Sequence, residues 1–443
     1  MEPIAYLGLE IKQRELESRT MVAAHLLKAG IAVIFGQQWS MFANAAALPR
    51  GVMLFKTVND IQAGVMEKCR SVGHLIAATD EEVLVCTEDE CFLEVFSPTA
   101  AKNCDLFFAQ SEFHRQVVER KFPSLRGKTQ AAGNVRVDCL APKRRETLGG
   151  EVKSIADTYG PYILFNTNYA QLNSIWKDRN TVANIAAKAG LLDVDDPASI
   201  QEYRAKWDWE QLNRDEMMKL LKWVTENHHG RNIVLRPHPG EVPTYWKDMF
   251  NGQERFHIIP RSNPHPWILG ADLVVHTTCT TGLEAALMDK PVVNLVPGPH
   301  PTFDFVTNHI NPTFRTWKEA ASAIDTFFTS GDGPITEKQK HHADILSSHF
   351  SIDDKEASEK ISDGLIALLK EHGAHFSNAQ DPSLGLGKFQ RLNRVETMKD
   401  KFLLEPEEMA SGLQKALTVL GLRINVKVKQ IDDSLFMLVP TQL

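Results

Sequence analysis

Several features that would point to a familiar class are missing from this sequence of 443 residues. It has no block of Lys or Arg, and 49 basic residues against 56 acidic ones give a net charge of −7. This balance argues against nucleic acid or an anionic membrane as the main partner. The apolar runs have the length of strands, so we expect no membrane-spanning helix. The N-terminus lacks the basic-then-apolar layout of a signal peptide, which favours a cytoplasmic protein.

Patterns of metal ligands are also sparse. The six cysteines form no CxxC pair, and Cys86 and Cys91 flank an acidic loop without a matching second pair. No cluster of side chains demands a metal, and we do not regard the acidic triplet at 80–82 as a metal site. We therefore expect reduced thiols, no metal and no other cofactor.

What is present is a repeated β-α-β order. An apolar strand at 3–9, a helix through Leu27 and a strand at 31–35 start one series, and a strand at 162–165 starts a second. This order predicts parallel sheets in an α/β fold. We place the two domains at 1–150 and 151–375, with a linker in the polar run from Pro142 to Tyr159. Further strands are predicted at 51–55, 74–78, 106–109, 233–235, 257–260, 272–275 and 291–295.

The last part of the chain, 376–443, reads as a small α/β extension. A polar linker at 376–388 precedes a helix at 407–420 and two alternating runs at 423–429 and 434–439, which predict a hairpin on a helix. Because the sequence ends on an apolar run, we expect it to be one module of a longer, multi-domain chain.

Two stretches carry the chemistry. Arg236-Pro237-His238-Pro239 follows the strand at 233–235, and its prolines hold Arg236 and His238 at the strand's carboxyl end. There they suit an anionic group, although Arg236 could equally be a structural brace and the stretch a plain surface turn.

The second stretch places threonines at 277, 278, 280 and 281 between a strand and a helix, with Gly282 behind them. Free N–H groups at a helix start, together with hydroxyls, favour a phosphate over an ordinary N-cap. Glu284 in that helix suits a ribose hydroxyl.

Charged residues mark two further strand ends. The charged residues of 10–19, among which Lys12 and Arg14 are candidate ligands, face either a crevice or solvent. Asp80-Glu81-Glu82 supplies candidate acids or bases, or a solvated turn. His265, in a second His-Pro pair, lines a cleft or is a satisfied loop histidine.

Together these residues resemble the GT-B glycosyltransferases, which have two Rossmann-like domains facing a cleft. The closer resemblance is to bacterial retaining β-Kdo transferases (Kdo is 3-deoxy-D-manno-oct-2-ulosonic acid). It covers most of 4–375 through the motifs above together with the stretches at 133–138 and 165–168, which include Asn166.

The resemblance implies transfer of Kdo from CMP-Kdo to a hydroxyl of a lipid-linked glycan in lipopolysaccharide O-antigen or capsule synthesis, at the cytoplasmic face of the inner membrane. It implies that Asn166, Arg236, His238, the four threonines and Glu284 hold the donor, with Lys12 and Arg14 near its sugar or the acceptor. Glu81, Glu82 and His265 are implied in catalysis.

Retention is most simply achieved by two inversions through a carboxylate nucleophile. The family's Asp matches Asn232 here, and an amide is a poor nucleophile. Three hypotheses compete: an engineered Asp-to-Asn variant, a natural inactive homologue, or a nucleophile elsewhere, with Asp80, Glu81, Glu82 and Asp272 as the options.

Three rival functions share the predicted architecture. They are a teichoic-acid-type transferase of polyol phosphate from a CDP-alcohol, a sugar-nucleotide 2-epimerase, and a catalytically dead glycan-binding or scaffold module.

Overall fold

The computed structural model describes residues 4–81, 83–176, 178–260, 262–298, 304–339, 343–350, 354–372 and 403–441. The chain forms two compact units. Unit 1 comprises 1–84, 95–139 and 349–443, and unit 2 comprises 85–94 and 140–348. The predicted boundaries at 150 and 375 therefore differ from the units, because the chain returns to unit 1 at His349.

Unit 1 is built on an eight-stranded sheet in the order β13-β14-β2-β1-β3-β4-β5-β6. Strands β1 to β6 are parallel, as predicted, and β14 runs antiparallel to β2. The strands are β1 (Ile4–Leu9), β2 (Ala32–Gln37), β3 (Val52–Phe55), β4 (Leu75–Thr79), β5 (Leu106–Ala109), β6 (Thr129–Ala131), β13 (Asn425–Asp432) and β14 (Leu435–Thr441).

Helices cover both faces of this sheet region, and the central strands β1 to β3 are buried along their whole length, as expected for a doubly wound sheet. The helices of unit 1 are α1 (Lys12–Lys28), α2 (Gln38–Ala43), α3 (Asp60–Ser71), α5 (Pro98–Asn103), α6 (Glu112–Lys121), α7 (Val135–Asp138), α19 (Ala357–Glu371) and α20 (Pro406–Val419), with a 3₁₀ turn at Pro123–Leu125.

Unit 2 is built on a six-stranded parallel sheet in the order β12-β11-β10-β7-β8-β9. Its strands are β7 (Tyr162–Asn166), β8 (Asn232–Arg236), β9 (Phe256–Ile258), β10 (Leu273–His276), β11 (Val292–Leu295) and β12 (Thr313–Phe314).

The helices of unit 2 include a 31-residue helix, α11, whose side chains Met217, Leu220, Leu221 and Val224 pack in the core. The helices are α4 (Asp89–Leu93), α8 (Pro142–Arg145), α9 (Gly149–Tyr159), α10 (Arg179–Lys188), α11 (Pro197–Asn227), α12 (Pro243–Met249), α13 (Pro264–Gly270), α14 (Thr280–Leu287), α15 (Val306–Ile310), α16 (Trp317–Ser330) and α17 (Pro334–Gln339), with a 3₁₀ turn at Glu146–Leu148; α18 (Ala343–Phe350) spans the unit boundary.

Three predictions concern the two linkers and the C-terminal hairpin. The linker predicted at Pro142–Tyr159 is wrong, since α8, the 3₁₀ turn and α9 occupy it and Ile155 and Tyr159 pack on the core of unit 2. The linker predicted at 376–388 lies outside the described residues. The C-terminal helix and hairpin are confirmed.

Cys86 and Cys91 are joined in a disulfide, which differs from the prediction that all six thiols are reduced. Cys69, Cys104, Cys139 and Cys279 are buried thiols that form no disulfide within the described residues. Within the described ranges no group of three or more His, Cys, Asp or Glu side chains is placed to hold a metal ion. None of the helices in those ranges has the length and apolarity that crossing a membrane requires.

The hairpin joins the first sheet at Gly36, where no side chain fits. Gly36 has a φ of 140°, and a Cβ atom there would lie 2.0 Å from the backbone oxygen of Ser434. We expect Gly36→Ala to lower the free energy of unfolding by about 2 kcal/mol or more, because strain and a backbone clash add. Denaturant titration measures this change.

Gly64→Ala is the matched control. Gly64 lies in α3 with nothing near its missing Cβ, so the same substitution should stabilise the protein by roughly 0.5–1 kcal/mol. Equal effects of the two substitutions would contradict the account of the hairpin.

Candidate functional site

The order of the second sheet places a crevice between β7 and β10. The chain runs from β7 outward to β8 and β9, and then crosses to β10 and β11 on the other side. In such sheets ligands bind outside the carboxyl ends of the strands, at the point where the order reverses. The last residues of β7, β8 and β10, namely Asn166, Arg236 and His276, therefore lie side by side at this edge.

The threonine turn after β10 is strained. Thr278 has a φ of 38°, which a β-branched residue rarely adopts. Its N–H donates to the Asn294 side-chain oxygen at 3.0 Å, while its buried Oγ1 makes no hydrogen bond to a described residue. Strain of this kind persists where the surroundings impose it, commonly at ligand sites.

Helix α14 begins directly after this turn without a side-chain cap. Its N-cap residue is Cys279, whose side chain accepts no hydrogen bond from a backbone N–H of the first turn, although its Sγ accepts one from Thr281 Oγ1 at 3.2 Å. The N–H groups of that turn, together with the hydroxyls of Thr277, Thr278, Thr280 and Thr281, form a donor set suited to an anion.

His276 supports the turn from beneath. Its fully buried ring lies with Nδ1 3.3 Å from the Cys279 nitrogen and Nε2 3.3 Å from the Asn311 side-chain nitrogen. A Cβ on Gly282 would lie 2.1 Å from the ring, so only glycine fits there. Burial lowers the pKa of His276 to about 3, which keeps the ring neutral. His276 is thus a scaffold for the turn and carries no charge for an anion.

Arg236 makes the contacts expected of a brace, although its buried Nε has no hydrogen-bond partner among the described residues, so its role as a donor ligand stays a prediction. Its Nη2 donates to the backbone and side-chain oxygens of Ser262, the latter at 3.2 Å. Burial lowers its pKa to about 10, partly opposed by the nearby Glu284. Glu284 is buried and lies 4.0 Å from Nε2 of His265, so these three predicted residues converge.

Glu241 ties the loops after β7 and β8 together. Its carboxylate is 1% exposed and accepts hydrogen bonds from Thr167 Oγ1 (2.6 Å), the Tyr169 and His238 nitrogens (3.1 Å each) and Trp246 Nε1 (2.9 Å). Sequence reasoning passed over Glu241. The sequence feature that could have indicated Glu241 is the presence of a carboxylate at the end of a loop that two prolines constrain.

His238 and Asn166 present polar atoms at the same edge. His238 Nδ1 accepts the Gly240 N–H at 3.1 Å, which leaves the proton of a neutral ring on Nε2. Asn166 is 3% exposed, and neither side-chain amide atom is hydrogen-bonded to a described residue. Unpaired buried amides are costly, so such a group at a crevice is suited to contact a ligand.

The remaining candidates lie in unit 1. Lys12 forms a bidentate ion pair with Glu408 of α20 at 2.7 and 2.8 Å, so it anchors the C-terminal helix. Its predicted contact with the donor stays a prediction. Arg14 is half-buried near Glu81. Glu82 lies outside the described residues.

Glu81 is held by Arg19 at 2.8 Å. Burial acts to raise its pKa, but the charges of Arg19, Lys56, Arg136 and Arg14 outweigh it and the pKa is lowered. A carboxylate stabilised in its ionised form is a weak general base, so the structure disfavours that role for Glu81.

Asn232 lies at the wrong end of its strand for the nucleophile position. It opens β8, and its Nδ2 donates to the Tyr159 carbonyl at 2.5 Å. The strand separates it from Arg236 by roughly 13 Å. Asp272 also precedes its strand and pairs with Arg231 at 2.8 Å. Both residues thus lie at the amino-terminal ends of their strands, and their assignment as the nucleophile stays a prediction.

No protein-family model matches the chain, and no curated protein matches it either. Solved structures with the same fold do match. A variant of the wall teichoic acid polymerase TagF is 12% identical, with a TM-score of 0.50, over 84% of this chain and 90% of that one. The S. aureus MnaA–UDP co-structure is 11% identical, with a TM-score of 0.50, over 86% and 99%.

A putative UDP-N-acetylglucosamine 2-epimerase from Listeria monocytogenes gives a TM-score of 0.50 at 12% identity over 86% and 99% of the two chains. These likenesses confirm the GT-B fold predicted from the motifs. At this level of identity they establish the fold alone.

Thr278→Gly should separate stability from binding. Glycine tolerates a φ of 38°, so we expect no loss in the free energy of unfolding despite the lost side chain, but weaker binding of a nucleotide phosphate. The control is Thr280→Gly at the first residue of α14, which should lose roughly 0.3–0.5 kcal/mol, since glycine is a poorer helix former than threonine by about that amount. Denaturation and nucleotide titration measure both; a large destabilisation by Thr278→Gly would contradict the strain.

Asn232→Asp tests the predicted nucleophile position. A carboxylate cannot donate to the Tyr159 carbonyl, so the substitution should cost about 1–3 kcal/mol and leave nucleotide binding unchanged. Asn232→Ser, which keeps a donor, should cost less. The appearance of glycosyl transfer in Asn232→Asp would refute this placement.

Proposed function

We propose that the chain is a transferase that uses a nucleotide-activated donor and binds the donor phosphate in unit 2. The observation that carries the proposal is the strained, hydroxyl-rich turn at Thr278, which leads into the uncapped start of α14 at the switch point of the sheet. Backbone N–H groups and hydroxyls bind phosphate without a cation, so the proposal requires no metal.

The same groups suit catalysis. When the donor bond breaks, negative charge builds on the nucleotide phosphate, and donors already oriented towards it lower the barrier. The hydroxyls of the turn and the Nε2 proton of His238 are such donors. Arg236 acts indirectly, by bracing the end of β8 against Ser262.

The finer proposal is that the donor is CMP-Kdo and the acceptor a hydroxyl of a lipid-linked surface glycan, with retention of configuration. Its support is the combination of Arg236-Pro237-His238-Pro239 with the paired threonines, which resembles the CMP-binding motifs of the β-Kdo transferases. The start of β8, where Asn232 lies, gives this finer proposal no support for a nucleophile at that position. Glu284, His265 and Asn166 lie at the donor edge, and Glu284 suits the ribose hydroxyls.

One observation favours a second candidate, transfer of polyol phosphate from a CDP-alcohol. That reaction needs an anion site and a base, but no carboxylate nucleophile at an anomeric carbon. The placement of Asn232 away from the crevice is compatible with it, and the fold shared with TagF is consistent with it.

Ligand-dependent thermal stability separates the candidates. A ligand present at a hundred times its Kd stabilises the folded protein by about 2.7 kcal/mol. We expect CMP to raise the melting temperature, and CDP and UDP to do so much less. Release of CMP from CMP-Kdo in the presence of a glycan acceptor would then establish turnover.

Other outcomes discriminate as clearly. Stronger protection by CDP, with release of CMP from CDP-glycerol, would replace the first candidate by the second. Protection by UDP alone would favour an epimerase, and CMP binding without turnover of either donor would favour a binding or scaffold module.

A further inference from the structure

A short segment closed by the disulfide belongs to unit 2. Residues 85–94 are part of this unit, although the chain before and after them belongs to unit 1. Cys86 and Cys91 are joined across five positions, and Thr87 lies inside the closed loop. Cys86 is 3% exposed and Cys91 is half-buried, so a reductant reaches the bond more easily at the Cys91 sulfur. We call residues 85–94 the clipped segment.

The clipped segment is hydrogen-bonded to the start of α15. The Val306 N–H donates to the Val85 carbonyl at 2.9 Å, and Thr87 Oγ1 donates to the Asp304 carbonyl at 2.9 Å. Val85 and Thr87 are the two chain neighbours of Cys86. Because the disulfide restrains Cys86, it also restrains the two groups that form these hydrogen bonds.

Helix α15 in turn supports the threonine turn. Asn308 on α15 accepts a hydrogen bond from the Asn294 side-chain nitrogen at 2.9 Å, and the Asn294 oxygen accepts the Thr278 N–H at 3.0 Å. Asn311, directly after α15, places its side-chain nitrogen 3.3 Å from Nε2 of His276. A change in the position of α15 therefore reaches both supports of the turn, one at Thr278 and one at His276.

These links lie in the interior of unit 2. Val306 and Ile310 of α15 are at most 1% exposed, and Asn294 is fully buried. A closely packed interior with hydrogen-bond networks transmits displacements between sites. Thr278 keeps its unfavourable φ of 38° only while its surroundings impose it, so the turn is sensitive to a loss of support.

We propose that the Cys86–Cys91 pair is a redox-sensitive device that sets the nucleotide affinity of the threonine turn, and that the disulfide form binds more tightly. The inference rests on the proposed transferase function and adds a regulation of the same site. Reduction removes the covalent closure of the clipped segment, which then holds the start of α15 less firmly. Binding of the donor phosphate must then supply the order that the turn has lost, and this lowers the affinity.

The redox step is a thiol–disulfide exchange with a dithiol as the reductant. One thiolate of the dithiol attacks the Cys91 sulfur, and the Cys86–Cys91 bond breaks with its electron pair on the Cys86 sulfur. The second thiolate of the dithiol then attacks the mixed disulfide and releases Cys91. The dithiol ends as a disulfide, and the protein gains two electrons and two protons as two thiols.

The test compares the oxidised full chain with the same chain reduced by dithiothreitol, and alkylation followed by mass spectrometry counts the two new thiols. We expect the Kd for CMP or CDP, whichever protects the oxidised chain more strongly, to rise about tenfold on reduction. Hydrogen exchange should accelerate at the Val306 and Thr278 amides. The Ile233 amide, which donates to the Arg255 carbonyl at 2.8 Å in the same unit, is the internal reference and should exchange at an unchanged rate.

Two variants control for other effects of the reductant. The double variant Cys86→Ser, Cys91→Ser should bind the nucleotide as the reduced chain does and should not respond to dithiothreitol. Cys69→Ala removes a buried thiol of α3 in unit 1 and should keep the full response.

Thermodynamic linkage gives a second measurement. Coupling between two equilibria is reciprocal, so the nucleotide must favour the disulfide by the same factor by which the disulfide favours the nucleotide. A tenfold difference in Kd corresponds to a midpoint potential that saturating nucleotide lowers by about 30 mV.

The outcomes separate this inference from the function on which it rests. Equal Kd values in the two redox forms, or unchanged exchange at Val306 and Thr278, would overturn the redox device and leave the donor site standing. A purified, oxidised chain in which Cys86 and Cys91 remain thiols would also overturn it. An oxidised chain that binds neither CMP nor CDP would refute the proposed function and this inference with it.

Discussion

Parallel strands carry all their carboxyl ends at one edge of a sheet, and the position of the candidate site in unit 2 depends on this constraint. In unit 2 it brings Asn166, Arg236 and the turn at Thr278 to one edge, although more than a hundred residues separate the first from the last. The same constraint removes Asn232 and Asp272 from that edge, because each stands at the start of its strand.

Buried carboxylates hold these edges in shape. Glu241 fixes two loops through hydrogen bonds from both of them, so neither loop can move without leaving a charged group unsatisfied. In unit 1, Glu15 and Glu81 do similar work with Lys56 and Arg19. Such carboxylates look like acid–base candidates in a sequence, yet their partners commit them to structure.

The threonine turn at 277–281 combines backbone strain with supporting hydrogen bonds. The side-chain oxygen of Asn294 accepts a hydrogen bond from the Thr278 N–H. The side-chain nitrogen of Asn294 donates to the side-chain oxygens of Asn308 and Thr313 at 2.9 and 3.0 Å. The ring of His276 fills the space left by Gly282. A turn fixed in this way presents its hydroxyls without further ordering, which is the arrangement that binding of an anion rewards.

The sequence by itself determined the alternation of strands and helices, the parallel sheets and the place of the threonine turn, because apolar periodicity and helix-start chemistry are local. It also predicted the C-terminal helix and hairpin. Only the tertiary structure decided that this hairpin extends the first sheet beside β2, that Lys12 pairs with Glu408 across 396 positions, and that Glu81 pairs with Arg19. Those outcomes depend on which side chains meet over long separations, and no local pattern encodes that.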